Sequence, residues 1–265
     1  MNALLGVDRL SVVYKSGSPA LQNVSFAMNA GEIIGIVGES GSGKSTLLRA
    51  LLGMLPNGGQ YVGGDIVFQG KSIFSYSQKD WHGIRGKRMA MVFQDSGSYL
   101  NPIRTVGSQY IEAIRTHVEL SKKAAYAMAV DMLSQMGLND PERMMSMYPG
   151  QLSGGMKQRT AIAMAVTMEP ELLLADEPTS ALDVTTQVEV IKRLTSLRAS
   201  QGTGMIIVTH NIAVAAHMAD YIGVMQNGSL VEFGQTSSII ISPRHAYTRE
   251  LLAAVPELEG NTDGR

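Results

Sequence analysis

The sequence predicts an α/β fold, with a buried parallel sheet at its core, a small antiparallel sheet near the start of the chain and a helical insertion in the middle. Three observations carry this. An apolar run at residues 32–37 (EIIGIV) passes through a glycine-rich stretch into a helical pattern that begins at Lys44. A second apolar run at 172–175 (LLLA) ends on Asp176 and Glu177. Between the two, residues 95–158 carry helical rather than strand periodicity. Continuous apolar runs mark parallel strands covered on both faces, and a helix between strands is the connection that parallel pairing requires.

Taken in order, the chain up to about residue 75 alternates apolar and polar positions, as in Val24, Phe26 and Met28 or Ile66 and Phe68, which predicts short antiparallel strands. Residues 38–46, GESGSGKST, come directly after the run at 32–37 and fit G-x-x-x-x-G-K-[ST] with Gly38, Gly43, Lys44 and Ser45. Glycines let the backbone turn inward, so that successive N–H groups, with the positive end of a helix behind them, can surround a polyphosphate, and Glu39, Ser40, Gly41, Ser42 and Thr46 are counted with the motif residues as nucleotide-binding. Lys44 adds a mobile charge toward the β and γ phosphates, and Ser45 offers a hydroxyl to Mg²⁺. The helix runs through Leu47, Leu48, Leu51 and Leu52 until Gly53 and Pro56 end it. A nucleoside triphosphate, ATP, is the expected ligand.

Residues 89–93 return to the core as a strand. In the helical stretch, Ala125, Met128, Ala129, Met132, Leu133 and Met136 recur at helical spacing between Ser121 as cap and Gly137 as stop. Of the 17 methionines, Met128, Met132, Met136, Met144, Met145 and Met147 concentrate in or near this stretch, and adaptable packing explains them. At 152–159 the string LSGGMKQR places Ser153 as the cap of a helix starting at Gly154 and Gly155 and ending before Pro170. Its N-terminus is a second set of unpaired donors with positive potential. Asp176 and Glu177 sit on the tip of a buried strand. Asp176 is the expected Mg²⁺ partner, and Glu177 the group that polarises the attacking water. Further on, residues 205–208 form a strand, Asn227-Gly228 reads as a hairpin turn, and Ser242-Pro243 stand in helix-starting positions.

Composition narrows the function classes. With 265 residues and a net charge of −1, the chain suits one domain with subdomains and offers no basic field for nucleic acid. Nothing approaches the roughly 18 to 20 apolar residues of a membrane span, and the first residues lack a signal layout. Zero cysteines excludes disulfides, thiolate zinc sites and cysteine-ligated iron–sulfur clusters. The five histidines form no convincing metal cluster. A cytosolic chain that borrows its membrane attachment from partners is expected.

On GESGSGKST, LSGGMKQR and LLLADE together, the sequence resembles the ATP-binding subunits of ABC transporters along nearly its whole length. The resemblance implies a RecA-like P-loop NTPase core spanning 1–241 with 95–158 as the inserted helical and signature subdomain. It also implies a dimer in which Ser153, Gly154 and Gly155 contact the γ-phosphate held by the opposite ATPase subunit, whether an identical or, more usually in this branch, a different one. Tyr14 matches the aromatic that stacks on adenine, and Gln94 the glutamine that contacts Mg²⁺ and water. Asp183 matches the loop coupling the two sites, and His210 the histidine that holds the γ-phosphate. Two transmembrane permease subunits, inserting a short helix between the helical subdomain and the Gln94 loop, and an extracytoplasmic solute-binding protein complete such a system at the cytoplasmic face of the membrane.

The tail at 242–265, with YPGQLSGG and SYLNP, resembles the dipeptide, oligopeptide and nickel importer branch. The chain ends at Arg265 without the cysteine-bearing extension of longer members, which favours nickel or metal-chelate uptake slightly over peptides. Asn211 stands where that branch often has an acidic residue. The alternatives are a soluble ABC ATPase acting on DNA or ribosomes, for which neither a long coiled coil nor a second ATPase unit is present, and an exporter motor.

Overall fold

The computed structural model describes residues 3–15, 17–56, 58–94, 99–179 and 184–254. They form two compact units, one drawn from 1–76 and 204–265, the other from 77–203.

The first unit opens with β1 (Leu5–Val13) and β2 (Pro19–Met28), then β3 (Ile33–Val37), α1 (Lys44–Leu51), β4 (Gln60–Phe68) and β5 (Lys71–Ser72). Strands β2, β1, β4 and β5 make an antiparallel sheet in that order. Val7 stands opposite Phe26 on one side and Ile66 on the other, so the period-2 apolar positions share one face, and all three are buried. Ile33, Ile34, Ile36 and Val37 of β3 are fully buried. Burial of each such side chain favours folding by about 1.5–3 kcal/mol, which makes this short strand a fixed support for the glycine-rich loop at its end.

The second unit contains α2 (Gln78–Ile84), β6 (Met89–Val92), α3 (Val106–His117), α4 (Lys122–Gln135), α5 (Pro141–Ser146), α6 (Gly154–Val166), β7 (Leu172–Asp176) and α7 (Val184–Gln201). β6 and β7 pair in parallel, from Met89 opposite Leu172 to Val92 opposite Ala175. An Arg88–Glu171 pair, with Nε and Nη2 at 2.6 and 3.2 Å from the two carboxylate oxygens, clamps the entry to both strands. The helices begin at side-chain caps: Thr105, Ser121, Asp140 and Ser153 each accept a backbone N–H from their own first turn. Gly137 comes after α4 at φ +68°, a left-handed stop. Met132, Met136, Met144 and Met145 are buried with Ala125, Ala129 and Leu133, so these methionines are core. Tyr110 of α3, fully buried, hydrogen-bonds Thr167 just past α6 at 2.6 Å.

The chain then returns to the first unit with β8 (Gly204–Thr209), α8 (Ile212–Met218), β9 (Tyr221–Gln226), β10 (Ser229–Gln235), α9 (Thr236–Ile241) and α10 (Ala246–Ala253). β3 is paired in parallel with β8 on one edge and β9 on the other, and β10 runs antiparallel to β9. Asn227 and Gly228, at φ +49° and +79°, make the expected hairpin turn.

The helix start expected at Ser242-Pro243 is corrected. Ser242 closes α9, and α10 begins at Ala246 with His245 as its cap. The cause is non-local: the Glu232 carboxylate on β10 accepts the backbone N–H of Arg244 at 2.8 Å and of His245 at 3.0 Å, which holds this segment extended. No helix among the described residues is long and apolar enough to cross a membrane.

Candidate functional site: a phosphate loop and a carboxylate-tipped strand

The loop from Gly38 to Gly43 leaves the buried end of β3 and enters α1. Three of its glycines hold left-handed backbone, Gly38 at φ +151°, Gly41 at +81° and Gly43 at +102°. At two of them space is also closed: a Cβ on Gly38 would lie 2.2 Å from the Met225 carbonyl oxygen, and one on Gly43 2.7 Å from that of Ala20. The loop is thus pressed against β9 and β2, and its backbone rather than its side chains forms the inner surface.

Lys44 is 7% exposed, and its Nζ donates to the carbonyls of Gly38 and Glu39 at 2.7 Å each and reaches Ser42 Oγ at 3.4 Å. A buried ammonium at the first turn of a helix with no acidic residue there makes the local field positive. Ser45 and Thr46 lie half-buried in the same turn, and Ser40 is exposed on the loop. The Tyr14 hydroxyl is 3.4 Å from Thr46 Oγ1, which places the aromatic ring beside the loop. Backbone donors, a buried cation and the positive helix end fit a polyphosphate, and the Ser45 hydroxyl fits the hard, oxygen-seeking Mg²⁺ that accompanies it.

His210 comes from the neighbouring strand. Val37 of β3 pairs with Thr209 of β8, so Gly38 and His210 each stand one residue beyond the same rung. His210 is exposed there. Asn211 next to it caps α8, its Oδ1 accepting from Ala213 N at 2.9 Å, which is the work an Asp would do at that position.

The second unit carries the carboxylates. Asp176 ends β7 and is 4% exposed. Glu177 comes next at φ +46°, a left-handed conformation that costs a non-glycine residue about 1 kcal/mol and turns its side chain away from the strand direction. Gln94 leaves β6 beside it, and its Nε2 donates to Glu177 Oε2 at 3.4 Å.

Helix α6 begins in the same unit. Ser153 and Gly154 are exposed and Gly155 is half-buried; the Ser153 hydroxyl accepts Met156 N at 3.2 Å. Gln158, one turn further, is 2% exposed and donates to the Pro178 carbonyl at 2.8 Å. This ties α6 to the turn that carries Glu177. Sequence reasoning missed it, although a glutamine on the buried side of an apolar helix was a visible signal, since such a group must find a partner. It also missed Tyr247 of α10, whose hydroxyl accepts the Glu39 N–H at 2.9 Å. Asp183 lies outside the described residues.

Comparison with known proteins gives one consistent result. A family model described as ABC transporter matches residues 21–180. The dipeptide transport ATP-binding protein DppD of Escherichia coli (strain K12) is 43% identical over 96% of this chain and 79% of its own length. The oligopeptide transport ATP-binding protein OppD of Bacillus subtilis (strain 168) is 41% identical over 97% of this chain and 73% of its own. Among solved structures, a dimeric ATP-binding cassette, MJ0796, in a post-hydrolysis state with ADP and Pi overlays with a TM-score of 0.80 at 28% identity, covering 88% of this chain and 98% of that one.

Proposed function

The chain belongs to the ABC transporter family as an ATP-binding, ATP-hydrolysing subunit, and we propose that it is the motor of an importer whose cargo is di- or oligopeptides. The single observation carrying the peptide assignment is the likeness, along nearly the whole chain, to subunits named for dipeptide and oligopeptide transport. The slight preference for nickel drawn from the sequence gives way to peptides on that ground.

In this reading residues 38–46 wrap the phosphates of ATP, Lys44 neutralises the β and γ charge, and Tyr14 stacks on the adenine. Ser45, Gln94 and Asp176 would hold Mg²⁺, which would supply charge neutralisation at the phosphates. Glu177 accepts a proton from the attacking water, oriented by Gln94, and His210 steadies the γ-phosphate.

Ser153, Gly154 and Gly155 serve the nucleotide of a second ATPase subunit. Gly154 supports this: it opens α6, and among the described residues a Cβ there would meet nothing within 4 Å beyond its own helix backbone and chain neighbours. Absence of an internal reason for glycine fits close approach from outside. The stretch 95–158 is the helical subdomain of a cassette covering 1–241, and 242–265 is its branch-specific tail.

Attachment to the cytoplasmic membrane face goes through two permease subunits, with a solute-binding protein on the far side. Support for the docking place is an apolar cavity of about 230 Å³ lined by Met91, Phe93, Tyr99, Leu100, Ala161 and Met164. Tyr99, stacked on Phe93 at 4.3 Å, is 57% exposed. The test is uptake by the purified complex in vesicles, given labelled dipeptide or labelled nickel chelate with ATP inside or outside. ATP-driven dipeptide accumulation is expected; accumulation of the nickel chelate alone would reverse the cargo assignment.

A further inference from the structure

The peptide group joining Gly38 to Glu39 is held at both ends. Its carbonyl accepts from Lys44 Nζ at 2.7 Å, and its N–H donates to the Tyr247 hydroxyl at 2.9 Å. Tyr247 lies on α10, 208 residues away in sequence, and is 5% exposed. We propose that Tyr247 is a positioning residue for nucleotide binding, fixing through the Glu39 N–H the peptide plane on which Lys44 is anchored. The inference rests on the reading of residues 38–46 as the ATP phosphate loop.

The tie has a rigid base. Glu232 of β10 accepts the N–H groups of Arg244 and His245, and His245 Nδ1 in turn accepts Tyr247 N at 3.3 Å. Tyr247 is therefore held from the same sheet that supports the loop, since β10 pairs with β9, and β9 with β3. Burial raises the Tyr247 phenol above its ordinary range, so the hydroxyl stays protonated and available. Without it, the Glu39 N–H loses its acceptor in a part-buried place, and rotation of the peptide toward solvent is the direct relief. Such rotation removes one of the two short carbonyl bonds that set Lys44, at the residue that meets the phosphates. The effect falls on the readiness of the loop rather than on the water-activating groups, so affinity and not turnover should change.

The experiment compares the full-length wild type with Tyr247→Phe, which keeps the ring and loses only the oxygen, and with Lys44→Ala. ATP affinity is measured by titration calorimetry, and kcat and KM in the assembled complex. For Tyr247→Phe the ATP dissociation constant and KM should rise about three- to tenfold, the worth of one hydrogen bond, with kcat at saturating ATP within about twofold of wild type and a melting temperature lowered by about 2–4 °C. A role in packing alone leaves Tyr247→Phe like wild type in all four quantities and overturns the inference. If Lys44→Ala binds ATP normally, the phosphate-loop reading itself falls, so the two failures are distinguishable. Should Tyr247→Phe fail to fold, amide exchange in the wild type decides: a protected Glu39 N–H supports the tie, and rapid exchange there overturns it.

Discussion

Gln94 and Glu177 stand two residues past one rung of a parallel strand pair, Val92 opposite Ala175, and their side chains meet at 3.4 Å. Register produces the meeting. A slip of one residue between β6 and β7 would send one of the two side chains to the other face. Glu177 also leaves its strand in a left-handed conformation, so the geometry is held against a local cost. On the proposed reading this pair is where attacking water is placed.

Gln94→Ala removes the amide that orients the Glu177 carboxylate while leaving the phosphate loop untouched. A hydrogen bond to a charged group is worth about 1.5–3 kcal/mol, so kcat for ATP should fall about tenfold or more. With Mg²⁺ removed by a chelator, the ATP dissociation constant should stay within about twofold. Steady-state ATPase assays with parallel titration check this; weakened binding with normal kcat would place Gln94 with the nucleotide instead.

Gly154→Ala separates fold from function. Since nothing among the described residues, beyond its own helix backbone and chain neighbours, lies within 4 Å of the added Cβ, the variant should fold and melt close to the wild-type temperature. On the proposed reading ATP hydrolysis by the assembled complex should nevertheless drop sharply, because the methyl group would occupy the space of a partner's nucleotide. A thermal melt and an ATPase assay on the same preparation suffice.

Glu232→Gln tests the anchor of the C-terminal segment. Burial works to raise the Glu232 carboxyl, but hydrogen bonds, including those from the N–H groups of Arg244 and His245, outweigh it and hold it below its ordinary value of 4.5. A carboxyl lowered on folding stabilises the native state at pH above the unfolded value and loses that contribution as pH falls through the folded one. The group is partly solvated, so the variant should lose no more than about 1 kcal/mol at pH 7. The gap to wild type should narrow as pH falls below 4.5 and through the lowered folded value. Urea unfolding across that range measures it.

Much of this was legible in the sequence because its signals are local. The runs at 32–37 and 172–175 are strands because they are apolar on both faces, and Ser121 and Ser153 begin helices because their hydroxyls have an N–H within reach. Residues 38–46 read as a phosphate loop from the spacing of Gly38, Gly43, Lys44 and Ser45. The features that were not legible are non-local. Ser242-Pro243 looked like a helix start, and only Glu232, brought there by the β9–β10 hairpin, keeps it extended. The Tyr247–Glu39 bond joins positions 208 apart, and no pattern near either residue announces it. The Gln94–Glu177 contact needed the β6–β7 register, which neither strand specifies by itself.

Glu177→Gln bears on the whole reading most directly, because it exchanges a proton acceptor for an amide of the same shape. Measured side by side in the assembled complex, ATP affinity should stay within about twofold of wild type, while turnover falls by a factor on the order of 10² to 10⁴, the usual worth of a positioned general base. Undiminished turnover in Glu177→Gln, with binding intact, would remove Glu177 from the reaction and with it the proposed mechanism of this motor.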